Sequence, residues 1–131
     1  MKHIRQKAVI DCGVAAVAML SGVSYTEAAR VAKGLLHKAG MGCASFVEVM
    51  EALTGSKWRI ARPARRPLAE HKLPSAPAAI VIRPDYRDYG HWIAFDGERV
   101  FDPDITRIYP VATYPKRHWK VIRTVIQKKD T

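Results

Sequence analysis

The chain has 131 residues and is 48% hydrophobic, long enough for one packed core, so we expect a single domain over residues 1–131. No apolar run approaches the roughly 20 residues that span a bilayer, which excludes a transporter carried on the chain itself. With 22 Lys and Arg against 12 Asp and Glu, the formal charge is +10, a field that favours acidic partners: an acidic peptide or protein, nucleic acid, or an anionic membrane surface.

In chain order, Lys2, Arg5 and Lys7 ahead of the apolar Gly13 to Leu20 imitate a secretory signal. Asp11 interrupts that pattern, no small-residue cleavage site follows it, and cleavage would remove the first core helix, so a cytoplasmic location is expected. Cys12 to Leu20 reads as a short buried helix, with Asp11 as its N-cap and Ser21-Gly22 closing it. Cys12 then lies in the first turn, where unpaired N–H groups and the helix dipole favour a thiolate. A small buried hydrophobe is the commoner role for such a cysteine. Ser24 to Lys38 reads as a second helix, with Thr26, Ala29, Val31, Leu35 and Leu36 at helical spacing. Small residues at Met41 to Ser45 lead into a third helix over Phe46 to Leu53, and a strand follows near Trp58 to Ala61.

Strands then dominate. Beyond a Pro-rich connection, Pro63 to Pro77, come Ala78 to Arg83, a hairpin starting at His91, and Trp119 to Ile126 as a closing strand. In the hairpin, His91 to Phe95 and Glu98 to Asp102 flank Asp96-Gly97, a dipeptide preferred in two-residue turns. If those two residues form the loop, Phe95 faces Glu98, Ile93 faces Val100, and His91 faces Asp102. Opposed residues have Cβ atoms roughly 4.5–5.5 Å apart, close enough for an imidazole–carboxylate bond. A four-residue loop keeps that pairing, and a three-residue loop breaks it. Ile93 and Val100 share the face of His91, while Trp92, Ala94 and Phe101 take the other, so the hairpin is expected inside a sheet covered on both sides.

Taken alone, His91 and Asp102 fit a packed histidine held by an acid. Together with a cysteine at a helix start they fit a Cys-His-Asp nucleophile. The stretch Gln6-(four residues)-Asp11-Cys12-Gly13-Val14-Ala15-(three residues)-Met19 resembles the cysteine motif of the C39 peptidases, the bacteriocin-processing, papain-like domains usually fused to peptide-exporting ABC transporters. His91-Trp92-Ile93-Ala94 with Phe101-Asp102-Pro103 resembles their histidine and aspartate motif, although Trp92 replaces the more usual Tyr or Phe and the hairpin is shorter. The resemblance implies a papain-like α+β fold, N-terminal helices packed on a C-terminal antiparallel sheet. It also implies roles: Cys12 as nucleophile, His91 as its ion-pair partner and later acid, Asp102 to orient the ring, and the Gln6 amide as an oxyanion donor. The substrate it implies is a peptide or protein, cut after a small-residue pair such as a double glycine, with any export machinery on a separate chain.

Other chemistry has less support. His3, His37, His71 and His118 lack zinc-site spacing, and no phosphate-binding glycine loop or Gly-x-Ser-x-Gly elbow is present, so neither a metal nor a cofactor is expected. Cys43 reads as a packed thiol, and one disulfide to Cys12 is not needed at this size. The basic runs Arg59 to Arg66 and Lys116 to Lys129 lack any nucleic-acid-binding motif and read more simply as solvated faces. The competing functions are a C39-like domain that grips peptides without cutting them, a basic nucleic-acid-associated protein, and an amidase or acyltransferase using the same groups.

Overall fold

The computed structural model describes residues 1–7, 11–37 and 40–128. Helix α1, Cys12–Ser21, is apolar on every side and buried from Cys12 to Met19, as expected of a helix packed against neighbours all round. It ends where Gly22 turns left-handed and donates its N–H to the Ala18 carbonyl. Asp11 occupies the N-cap position, but its side chain does not cap the helix. The Tyr25 hydroxyl donates to that carboxylate instead, tying the start of α1 to the next helix.

Helix α2, Tyr25–Ala32, opens on a Ser24 side chain that accepts from the Glu27 N–H. It is shorter than the apolar spacing suggested. Gly34 adopts φ +87°, which stops the helix, and Leu36–His37 (β1) pairs with Gly40–Met41 (β2) in place of a fourth helical turn. Lys38, the expected last helical residue, lies outside the described residues. Helix α3, Cys43–Thr54, starts three residues earlier than expected, so that both cysteines begin helices.

Six strands form one antiparallel sheet: β3 (Trp58–Ala61), β4 (Ala78–Arg83), β5 (His91–Phe95), β6 (Arg99–Phe101), β7 (Ile108–Pro110) and β8 (Lys120–Gln127). Their spatial order is β3-β8-β4-β5-β6-β7. The last strand, expected over Trp119 to Ile126, thus enters between β3 and β4 and is central; the far edge is β7, which the sequence did not announce. One face packs on the helices through Ala79, Val81, Trp92 and Val125. The other carries Ile80, Ile82, Ile93, Val100 and Val121 under Leu68, Tyr114 and Trp119 from the long connections, so both faces are covered as the hairpin pattern required.

The hairpin register differs from the expected one by two residues. Phe95 pairs with Val100 and Ala94 with Phe101, leaving Gly97 and Glu98 as the loop. Asp96 causes this: its Oδ1 accepts the N–H groups of Glu98 and Arg99, and Gly97 supplies φ +105° at the first loop position. Because side chains alternate with period two, a two-residue shift keeps His91 and Asp102 on the same face. They become diagonal rather than direct neighbours.

Candidate active site

Each proposed residue is held by a different device. Cys12 is the first residue of α1, and its Sγ accepts the backbone N–H of Trp92 at 3.5 Å. Next to it Gly13 leaves no room for a side chain: a Cβ there would lie 2.9 Å from the Met41 Cβ and 3.2 Å from the Trp92 ring. Trp92 fills this corner, stacked on Phe46 at 4.1 Å between ring centres, with its indole N–H donating to the Met41 carbonyl at 2.8 Å. The large ring thus braces α1, β2 and α3 around the cysteine.

His91 opens β5 and is 7% exposed. Its Nε2 lies 2.7 Å from Asp102 Oδ1, and the ring also hydrogen-bonds the Cys12 side chain, for which Nδ1 is the remaining nitrogen. Burial disfavours the imidazolium, but the bonds to Asp102 and Cys12 and the Asp102 charge outweigh it, and the His91 pKa is raised to about 9. Lys116 pulls weakly the other way.

Asp102 follows β6 and is fully buried. A carboxylate offers about four acceptor sites, and all are used. Oδ1 takes His91 and the Asp104 N–H at 2.8 Å; Oδ2 takes the Tyr114 hydroxyl at 2.5 Å and Lys116 Nζ at 3.1 Å. Burial pushes this acid up, yet His91, Lys116 and Tyr114 together hold it well below the usual carboxylate range. The Tyr114 hydroxyl is in turn pushed far above its ordinary value by burial and by the Asp102 charge, so it stays a donor. Tyr114 and Lys116 were missed in the sequence. They reach Asp102 from 12 and 14 residues downstream, with no motif to mark them.

Gln6 is pinned beside the acid by its backbone, whose N–H donates to the Pro103 carbonyl at 2.9 Å, and its amide oxygen is shielded from solvent. His3 Nε2 bonds the Asp102 carbonyl at 2.8 Å, so the N-terminal arm lies along the aspartate segment. Cys12, His91 and Asp102 are therefore joined by direct hydrogen bonds, with Gln6 anchored next to the third. Both cysteines are free thiols, and burial pushes Cys43 up against the pull of Arg123 and Arg62. Among the described residues, no group of three or more His, Cys, Asp or Glu could hold a metal ion, and no single helix is long and apolar enough to cross a membrane.

Among solved structures, the chain is similar to the peptidase domain of Streptococcus mutans ComA, with a TM-score of 0.66 over 98% of this chain and 100% of that one. The fold is that of the ComA peptidase domain. Sequence identity is 18%, and the likeness is one of architecture: helices on a six-stranded antiparallel sheet. Neither a protein-family model nor a curated protein sequence matches the chain. The resemblance read from the Cys12 and His91 motifs and the peptidase-domain fold thus point the same way.

Proposed function

We propose that the chain is a cysteine peptidase that cleaves a peptide bond of a peptide or protein through Cys12, His91 and Asp102. The observation that carries this reading is the His91 ring, bonded on one side to Asp102 and on the other to a cysteine at a helix start. In the reaction, the Cys12 thiolate attacks the scissile carbonyl carbon while His91 holds the proton. The oxyanion takes the Cys12 backbone N–H and the Gln6 amide. Collapse of the tetrahedral intermediate breaks the C–N bond, His91 protonates the leaving amine, and a thioester remains. Water, giving its proton back to His91, then hydrolyses the thioester and releases the acid. The C39-like motifs favour a bond following a small-residue pair, such as a double glycine.

The test is cleavage of an unbiased peptide library by the wild type and Cys12→Ala, read by mass spectrometry. Products with the wild type and none with the variant are expected. Binding without cleavage by the wild type would favour the non-cleaving domain. Within the same assay, Gln6→Ala should lower kcat by about 100- to 1,000-fold, the usual cost of one oxyanion donor.

A further inference from the structure

The two donors that the reaction needs for its oxyanion sit on separate stretches of backbone, and one side chain from α2 touches both stretches. Gln6 is held on its upstream side, where its own N–H donates to the Pro103 carbonyl at 2.9 Å. On its downstream side the Lys7 N–H reaches the Tyr25 phenol oxygen, and the Lys7 ammonium lies over the Tyr25 ring at 5.0 Å. The same hydroxyl donates its proton to the Asp11 carboxylate, next to Cys12. A hydroxyl gives one proton and accepts through two lone pairs, so the single Tyr25 oxygen serves both partners at once.

The bond to Asp11 bears on the second donor. The Cys12 N–H belongs to the peptide unit whose carbonyl is that of Asp11, and this carbonyl accepts the Ala15 N–H at 3.0 Å. In a trans peptide the N–H points opposite to the carbonyl, so the Cys12 N–H points out of the helix start, free of the helix's own ladder. An acid at this position commonly caps first-turn N–H groups, but the Asp11 side chain makes no such bond. Tyr25 holds it instead. Tyr25 is itself fixed as the first residue of α2 behind the Ser24 cap, with its ring half-buried against the helix core. Burial and the bond to Asp11 push its phenol above the ordinary value, so the hydroxyl keeps its proton and remains a donor.

We infer that Tyr25 is the positioning residue of the oxyanion site: its hydroxyl, shared between the Lys7 N–H and the Asp11 carboxylate, sets the spacing of the Gln6 amide and the Cys12 N–H. The inference rests on the peptidase reading above and adds to it a residue on a second helix that acts through both oxyanion donors.

The experiment measures kcat and KM on the best-cleaved peptide of the library for the wild type, Tyr25→Phe, Asp11→Ala and Asp11→Asn, and for Tyr25→Phe combined with Gln6→Ala, with iodoacetamide labelling of Cys12 in each. Tyr25→Phe keeps the ring and loses the hydroxyl. It should lower kcat by about 10- to 100-fold, up to the usual cost of setting a group about 1 Å out of place, and leave KM within about twofold, because the oxyanion exists only during the reaction. Combined with Gln6→Ala, the two losses should fall short of their product by at least about fivefold, a coupling typical of groups in one network. Cys12 labelling should stay close to that of the wild type, since alkylation forms no oxyanion. Asp11→Ala should reproduce the loss in kcat, and Asp11→Asn, which keeps an acceptor for the hydroxyl, should restore most of it. Wild-type kcat in Tyr25→Phe, losses that multiply in full with Gln6→Ala, or a fall in Cys12 labelling that matches the fall in kcat overturns the positioning role and leaves the peptidase standing. If Tyr25→Phe does not fold, the Asp11 pair carries the test, and equal kcat for Asp11→Ala and Asp11→Asn overturns the role. No cleavage by the wild type overturns both readings.

Discussion

At the residue scale, the site couples proton binding to stability. Folded His91 keeps its proton up to about pH 9, against an ordinary value of 6.5, so the folded chain binds the extra proton between those limits. Its contribution to stability is complete below 6.5 and is lost as pH rises through about 9. Asp102 works in the opposite sense: its contribution is present above the ordinary carboxylate value and is lost as pH falls through its depressed one. Urea unfolding should therefore show stability falling between pH 6.5 and 9.5, and His91→Gln should flatten that fall. Lys116 tests the network differently. Its charge opposes the imidazolium through Asp102's surroundings, so Lys116→Met should raise the His91 pKa further, read as an upward shift in the ring's NMR titration. A Lys116 that served packing alone would leave the titration in place.

At the scale of elements, the sequence was most readable where one local pattern decides. Ala78 to Ile82 and Trp92 to Phe95 are unbroken apolar runs near turn residues, and the strands that contain them, Ala78–Arg83 and His91–Phe95, have the expected limits. Helix α2 was overread because Leu35 and Leu36 continue its apolar spacing past Gly34, and a left-handed glycine outweighs that periodicity. The hairpin register was misplaced because Asp96 folds over the turn and moves Gly97 to the first loop position. His91 and Asp102 still met, since only an odd shift would have sent one of them to the helix side. Gly13 is where element packing sets the site. Gly13→Ala would push α1 away from Met41 and Trp92, and should cost about 1–3 kcal/mol of stability by urea unfolding, the usual penalty for overpacking.

At the scale of the whole molecule, the strand order and the partners of Asp102 depend on contacts between distant segments, which no local pattern encodes. The last strand, β8, became central by entering between β3 and β4. Tyr114 and Lys116 arrive at Asp102 only because the segment after β7 folds back over the sheet. The fold also supplies its own control. Cys12 and Cys43 both begin helices, but only Cys12 bonds His91, while Cys43 is held as a thiol by burial. The most direct test is the rate at which iodoacetamide labels each cysteine at neutral pH, followed by mass spectrometry of the two cysteine peptides. The account predicts that Cys12 reacts at least about tenfold faster than Cys43, and that His91→Ala removes the difference. Equal, slow labelling of both cysteines in the wild type would contradict it.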